Sequence, residues 1–344
     1  MKRSLLALLA SLALGLIGLY LVGGPAAFEA SSYQLPAVGT PLILAIVAAS
    51  AAYWLAPALR LQLLCTVHGH GLPLAQGLLI HLAGLFSAAL TPGGSGSAPA
   101  IAAGLRRAGF PLGTAVATAV QVTVLDLVFF AWALPLSLAY LLSSGATVLS
   151  LEIVALALAS MVLALAASIV LGRYPRPVVR LLLWLARRPR LLRFRQRIRA
   201  TARGYYRGSR LFVAMRLSTW ISLQALGALA WLGMFLLFWA LVHVFQPLEV
   251  LATIATLTIA TLVAFIVPTP GGSGFIEVAV GYGIGAQLTD ANLATPLLVW
   301  RFATFYLIFL LGPLAGWLLF VAGRGQRPSG TSAGANRREA HDAS

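Results

Sequence analysis

Long apolar stretches, separated by short polar or basic segments, dominate the sequence. A stretch of about 18 apolar residues or more is long enough to span the hydrocarbon core of a bilayer as a helix. Stretches of this kind occupy residues 5–22, 41–59, 112–142, 148–171, 217–245 and 294–322. The pattern predicts an all-α polytopic integral membrane protein in which residues 1–322 form a single transmembrane domain.

Two further apolar stretches, 72–90 and 250–267, each lead into the same six-residue sequence. TPGGSG occurs at residues 91–96 and again at 269–274, an offset of 178 positions. Because proline removes a backbone donor and glycine adds conformational freedom, neither copy continues a regular helix. The chain after each copy reaches a polar or basic segment too soon to cross a bilayer. We therefore predict two re-entrant helical hairpins, each broken at TPGGSG.

The same offset relates whole elements of the chain. It gives repeat halves at about 41–142 and 217–322, of which the first begins outside the membrane and the second inside. Such an inverted repeat is the architecture of many secondary transporters, whose sites lie where interrupted helices of the two halves meet. We expect the hairpin tips to approach each other near the bilayer midplane, around one polar cavity.

The net charge of +16 is concentrated in one segment, residues 173–216, which we call the arginine-rich loop. Its roughly fourteen arginines favour a cytoplasmic position under the positive-inside rule. Both termini map to the same side, including a tail at 323–344 that is predicted to be disordered. The protein is therefore predicted to be a multi-pass protein of the cell membrane. Because topology accounts for the charge, no nucleic-acid partner is expected.

Apolar residues recur at helical spacing between the arginines of this loop: Leu191, Phe194, Ile198 and Tyr205. This spacing predicts an amphipathic helix lying on the inner leaflet. Two interpretations stay open, since the loop either gathers anionic lipid or only sets the topology.

Catalytic and metal-binding motifs are missing from the sequence. It contains no HExxH sequence and no phosphate-binding GxxxxGK[ST] loop. The single cysteine, Cys65, excludes an internal disulfide and a cysteine-based metal cluster. His68 and His70 lie close together, but no carboxylate or cysteine accompanies them. We expect no metal, no cofactor and no enzymatic activity.

Charged residues at predicted membrane depth are few, and each is expected to face protein or water. Arg301 is a candidate to bind a phosphate through its planar guanidinium fork. Glu277 either caps the helix after the second break, binds a proton, or pairs with Arg301. Asp126 either makes a buried polar contact or relays a proton.

The two TPGGSG breaks supply the other candidate substrate-binding residues. Backbone N–H groups at the start of a half-helix attract anions. The candidates are Thr91, Gly93, Gly94 and Ser95 in the first break and Thr269, Gly271, Gly272 and Ser273 in the second. The alternative is that glycine and serine only let the hairpins pack closely.

The sequence VPTPGGSGFIE at 267–277, followed by Trp300-Arg301-Phe302, resembles the lysylphosphatidylglycerol synthase transmembrane, flippase-like family. The resemblance covers nearly the whole chain and implies movement of aminoacylated or glycosylated lipids between leaflets. The C-terminal aminoacyl transferase domain of the bifunctional members is not expected here. The first half departs from the family pattern. The offset of 178 positions pairs Glu277 with Pro99, so the first half has a proline where the second has a carboxylate.

These observations favour a lipid translocator that moves an anionic, aminoacylated or glycosylated lipid through the central cavity. Two alternatives are a secondary transporter for a small solute or ion and a membrane enzyme acting on lipid headgroups. The expected partners are membrane lipids with anionic headgroups. Whether the chain forms a homo-oligomer, and whether a separate lipid-modifying enzyme works with it, stays open at this level.

Overall fold

The computed structural model describes residues 13, 17, 20, 21, 38–144, 151–170, 174–265, 267, 269, 272–284 and 290–322. Its helices are α1 (Thr40–Val67), α2 (Leu74–Ala89), α3 (Ser97–Arg107), α4 (Leu112–Ser143), α5 (Leu151–Ser168), α6 (Arg176–Leu185), α7 (Arg195–Val213), α8 (Leu217–His243), α9 (Val250–Ala264), α10 (Phe275–Ile284), α11 (Asp290–Arg301) and α12 (Ile308–Ala322). A 3-10 turn (Pro189–Phe194) precedes α7, and a π-helical turn (Phe302–Tyr306) joins α11 to α12. The predicted span at 5–22, except for four positions, and the predicted tail at 323–344 lie outside the described residues.

Within the described part of the chain, four helical segments are long and apolar enough to cross a membrane: Thr40–Val67, Leu112–Ser143, Leu217–His243 and Thr295–Leu319. Together with the shorter apolar helices, they confirm the prediction of an all-α, multi-pass membrane protein. The predicted span at 148–171 corresponds to α5, of which the structure describes Leu151–Ser168 as an α-helix.

The first long helix extends beyond the predicted end of its span. The sequence interpretation ended this span at residue 59 and placed Arg60 at the cytoplasmic surface. In the structure α1 continues to Val67, and Arg60 is a buried residue within it, with 4% of its surface exposed. The helix continues because the apolar pattern resumes after Arg60, with Leu61, Leu64 and Cys65 all buried.

Each TPGGSG break separates two short helices that pack against each other, α2 against α3 and α9 against α10. The helices before the breaks have 16 and 15 residues, and those after them have 11 and 10. At about 1.5 Å per residue, the helices after the breaks are only about half as long as the hydrocarbon core is thick. The structure therefore contains two helical hairpins, and their re-entrant position in a bilayer stays a prediction.

The two halves have the same order of elements, and elements of each half pack against elements of the other. The helices α3 and α10 begin at Ser97 and Phe275, and α4 and α11 begin at Leu112 and Asp290, each pair offset by 178 positions. The first helices of the halves, α1 and α8, pack against each other. The hairpin helix α2 packs on α12 of the other half, and α9 packs on α4. This reciprocal packing brings both hairpins to the centre of the molecule.

The arginine-rich loop forms α6, the 3-10 turn and α7, with α7 packed on α4. The close approach requires glycine on both helices, since a Cβ at Gly113 lies 2.6 Å from the Cα of Gly204. Tyr205 and Phe212 are buried. The prediction that Tyr205 faces the inner leaflet is therefore wrong, because this side of α7 is covered by protein rather than lipid.

Candidate functional site

A cavity lies at the centre, between the two hairpins and the long helices. It has about 230 Å³ of space accessible to the centre of a water-sized sphere. Aliphatic and aromatic side chains form most of its wall, and both TPGGSG breaks reach it. The polar side chains in the wall are Tyr53, Arg60, His81, Ser97, Asp126, Thr261, Arg301 and Thr304. A mostly apolar pocket with a few convergent polar groups is typical of a ligand site.

Glycine allows the two breaks to meet in this wall. Gly93, Gly94 and Gly272 have φ values of 58°, 67° and 69°, a region that side-chain-bearing residues rarely adopt. A Cβ at Gly93 lies only 2.8 Å from the carbonyl oxygen of Phe265, the residue that follows α9. The first tip therefore touches the end of the helix that leads into the second break. Both tips line one cavity, although its wall is mostly apolar, whereas the sequence analysis expected a polar cavity.

Four backbone N–H groups of the first tip are already used within the tip. Those of Gly94, Ser95 and Ser97 donate to carbonyl oxygens of the same turn. The N–H of Gly96 donates to the Thr91 hydroxyl at 2.8 Å, and that hydroxyl donates to the Ser87 carbonyl at 2.9 Å. Thr91 thus closes the turn from inside. An anion at this tip would therefore not be bound by these four amides.

The second tip is described in part. Gly271 lies outside the described residues, whereas Gly272 lines the cavity. Ser273 is fully buried, and neither its hydroxyl nor that of Thr269 has a hydrogen-bond partner within the described chain. These hydroxyls lie close to the start of α10, which carries Glu277.

Glu277 and Arg301 form a buried ion pair between α10 and α11. The Arg301 Nε–H donates to Glu277 Oε1 at 2.6 Å. Two of their other polar atoms, Arg301 Nη2 and Glu277 Oε2, have no hydrogen-bond partner among the described residues. The guanidinium also lies over the Phe305 ring, 4.9 Å from its centroid. One edge of the guanidinium is therefore held in place while another stays available to a ligand.

The π-helical turn after Arg301 helps to hold that residue in position. The turn widens the helix, and π-helical turns of this kind are frequent at functional sites. The Thr304 hydroxyl donates to the Trp300 carbonyl at 2.7 Å, while the Thr304 carbonyl accepts from Tyr53 at 3.0 Å. The Trp300 indole donates to the Met234 carbonyl at 3.0 Å. Arg301 is thus fixed between α1 and α8, although nothing in the local sequence signals this turn.

A second ion pair lies in the same cavity wall, between α1 and α4. Arg60 Nη1 is 2.8 Å from Asp126 Oδ1, which also accepts from the Trp231 indole at 3.2 Å. Gly227 makes room for it, because a Cβ there lies 2.7 Å from Arg60 Nη1. Asp126 thus contacts two neighbouring helices, in agreement with the buried-contact interpretation. Sequence reasoning missed Arg60 as a residue of the site. The available signal was that the apolar stretch continues beyond this single arginine.

The charges around the cavity are balanced, but its hydrogen bonds are not complete. Two guanidinium groups face two carboxylates in the two ion pairs. Five buried polar atoms of wall residues nevertheless make no hydrogen bond of good geometry within the described chain: Arg60 Nε, Arg60 Nη1 (which faces Asp126 only as an ion pair), His81 Nε2, Thr261 Oγ1 and Arg301 Nη2. An unsatisfied buried polar group costs about 1–3 kcal/mol. Atoms of this kind around a cavity are suited to binding water or a polar ligand.

The sequence-predicted residues divide into three groups by their position. The cavity is lined by Gly93, Gly94, Gly272, Arg301 and Asp126. Glu277 does not line it but forms an ion pair with Arg301, which does. The hydroxyls of Thr91, Thr269 and Ser273 lie behind the wall, and Ser95 is exposed away from it. Tyr53, His81, Ser97, Thr261 and Thr304 were not predicted, because isolated polar residues in apolar helices carry no distinctive spacing.

Comparison with known proteins assigns the chain to a family. A comparison with curated proteins finds no match. The family profile of the lysylphosphatidylglycerol synthase TM region matches residues 4–312. The match includes both breaks, both ion pairs and the whole cavity wall, and it indicates a function connected with membrane lipids. With nearly all of its length matched by this profile, the chain belongs to the family of the lysylphosphatidylglycerol synthase TM region.

Proposed function

We propose that the protein is a flippase-like lipid translocator, which moves an anionic, aminoacylated or glycosylated lipid between the leaflets of the cell membrane. The observation that carries the proposal is the ion pair of Arg301 with Glu277 in the wall of the cavity, with Arg301 Nη2 left unpaired. The headgroup binds in the cavity while the acyl chains stay in the bilayer. No catalytic step is part of this function.

Arg301 binds the lipid phosphate in this proposal. Its Nη2 donor has no protein partner, and a guanidinium can hold a phosphate through two parallel hydrogen bonds. Glu277 competes with the phosphate for the guanidinium or takes up a proton. Loading and release of the lipid alternate as the guanidinium changes partner. An apolar wall strengthens these interactions relative to water.

The two hairpins provide the route in this proposal. Both tips lie in the wall, and the two halves pack reciprocally, so a small shift of one half changes the opening of the cavity. The arginine-rich loop and both termini are proposed to face the cytoplasm. Anionic lipids are the proposed partners, with no nucleic-acid partner.

Reconstitution in liposomes tests this function. Vesicles contain the purified protein and trace amounts of a fluorescent phosphatidylglycerol, lysylphosphatidylglycerol or glycolipid, and a membrane-impermeant quencher reports how much lipid reaches the outer leaflet. We expect faster exchange than in protein-free vesicles for at least one lipid, and loss of this exchange with Arg301→Ala. Exchange no faster than in protein-free vesicles for all three lipids contradicts the proposal.

A further inference from the structure

A second groove lies away from the central cavity, between α6 and α7 of the arginine-rich loop. It has about 820 Å³ of space accessible to the centre of a water-sized sphere. One wall consists of Val179 and Leu183 on α6, one helical turn apart. The other wall is a stripe along α7: Gln196, Arg199, Ala200, Ala202, Arg203 and Tyr206. The groove therefore combines an aliphatic side with a cationic side.

The cationic wall is held rigidly by the rest of the protein. Helix α7 is anchored to α4 by the close approach of Gly113 to Gly204. The Gln121 amide donates to the Gly208 carbonyl at 3.2 Å, and His68 Nε2 lies 2.7 Å from Gln121 Oε1. The groove stripe points away from this anchored face. Arg199 and Arg203, four residues apart in the helix, therefore project together into the groove.

No acidic residue of the arginine-rich loop offsets the charge of this groove. The arginine-rich loop contains about fourteen arginines and no aspartate or glutamate. Among the residues that the structure describes, neither Arg199 nor Arg203 takes part in an ion pair. Topology control needs positive charge in the loop, but it does not need two unpaired arginines beside an aliphatic wall.

The outer face of α6 indicates that the groove lies at a lipid surface. Leu181 and Trp184 are 55% and 49% exposed, and the Arg188 guanidinium lies 3.9 Å from the centroid of the Trp184 ring. Exposed tryptophan and leucine beside arginine are typical of an interfacial helix, whose apolar face enters the headgroup region. The groove therefore lies at the level of the lipid phosphates. A soluble anion or a nucleic acid would not require a site at this level.

We propose that the groove between α6 and α7 is a binding site for an anionic phospholipid of the adjacent leaflet, separate from the central cavity. Arg199 and Arg203 bind the phosphate, and the Tyr206 hydroxyl donates a further hydrogen bond. An acyl chain lies along Val179 and Leu183. The site goes beyond the proposed translocation, because it requires neither Arg301 nor movement of lipid between leaflets.

Photolabelling of the full chain tests this site. The protein is placed in phosphatidylcholine nanodiscs with a trace of phosphatidylglycerol that carries a diazirine in one acyl chain, and labelled peptides are identified by mass spectrometry. We expect labelling within residues 176–185. The double variant Arg199→Gln/Arg203→Gln reduces it about thirtyfold, since each of the two basic residues near an anionic surface contributes about 1 kcal/mol. Both arginines are exposed, so the variant is expected to stay folded with an unchanged unfolding temperature.

The matched control is Arg187→Gln/Arg197→Gln, which removes the same charge from exposed positions outside the groove wall. It leaves labelling within about twofold of the parent protein, as expected if the groove rather than diffuse charge binds the lipid.

Equal loss in both double variants overturns the proposal, and so does unchanged labelling in Arg199→Gln/Arg203→Gln. Equal labelling by photoreactive phosphatidylcholine overturns the anionic preference. Loss of labelling with excess glycerol phosphate assigns the groove to a soluble phosphate instead. Arg301→Ala leaves this labelling unchanged, which separates the groove from the translocation proposal.

Discussion

Arg301 and Glu277 meet through a single hydrogen bond, 2.6 Å from Nε to Oε1, although their side chains have three further polar atoms between them. Arg301 Nη2 and Glu277 Oε2 are buried without hydrogen-bond partners in the described chain. A purely structural pair is expected to use both edges of the guanidinium, because buried charges need full compensation. Arg301 lines the central cavity, so a guanidinium with an unpaired donor stands in its wall.

Arg301→Ala is expected to abolish lipid translocation in proteoliposomes while the protein stays monodisperse. Arg301→Lys restores it only in part, since an ammonium group lacks the planar fork. The double replacement Glu277→Gln/Arg301→Gln separates a site from a structural pair. If the pair only stabilises the fold, each single variant loses about 3–5 kcal/mol and the double variant recovers both stability and transport. Full transport by the double variant contradicts the assignment of this site.

For the pair of Arg60 with Asp126, the two single replacements are expected to differ in stability. Arg60 has 5% of its side chain exposed, whereas Asp126 has 25%. Asp126→Asn leaves the more deeply buried charge unpaired, so it destabilises more than Arg60→Gln, in which the remaining carboxylate can reach water. Thermal unfolding in detergent measures both. A larger loss for Arg60→Gln contradicts this account of the burial.

Gly93→Ala is expected to destabilise the first tip. The residue has a φ of 58° and a Cβ there lies 2.8 Å from the Phe265 carbonyl oxygen. The backbone conformation alone costs about 1–2 kcal/mol. Gly316→Ala in α12 is the matched control, because a Cβ at that position meets nothing within 4 Å. We expect the unfolding temperature to fall in Gly93→Ala and to stay unchanged in Gly316→Ala. Equal unfolding temperatures of the two variants would show that the tips do not meet closely.

The predicted topology is tested by single cysteines at Ser31, Gln246 and Arg195 in a Cys65→Ala background. The native thiol is buried, so its removal does not disturb the surface. We expect labelling from outside at the first two positions and from inside at the third. External labelling at position 195 overturns the cytoplasmic assignment of the arginine-rich loop.

The contact of His68 with Gln121 predicts a loss of stability at acidic pH. Burial lowers the pKa of His68 below its ordinary value of 6.5; the hydrogen bond to Gln121 opposes this shift, and the nearby His70 adds to it. The folded state therefore holds this imidazole neutral, and its contribution is complete above pH 6.5. It is lost as the pH falls below that value, because the unfolded chain binds the proton more tightly. The fall in unfolding temperature between pH 8 and pH 5 is expected to be smaller in His68→Gln, and an equal fall contradicts the prediction.

The sequence by itself determined the elements of this protein and their order. The lengths of the apolar stretches set the long helices, because a bilayer requires about 20 apolar residues per helical span. Proline and glycine set the breaks, because their effect on the backbone is local. The helices after the breaks therefore begin at Ser97 and Phe275, as the repeat of 178 positions requires. Family membership followed from the same residues.

Only the tertiary structure decided which polar residues meet. Arg60 was interpreted as the end of a span because a charge is costly in a membrane, yet Asp126 on a distant helix compensates it. Tyr205 was expected to face lipid, yet it is buried where α7 packs on α4. The amides of the first tip were expected to be available, yet the turn itself uses four of them. In each case the deciding free energy comes from a partner that the local sequence does not contain, since charge compensation and burial depend on what packs beside a residue.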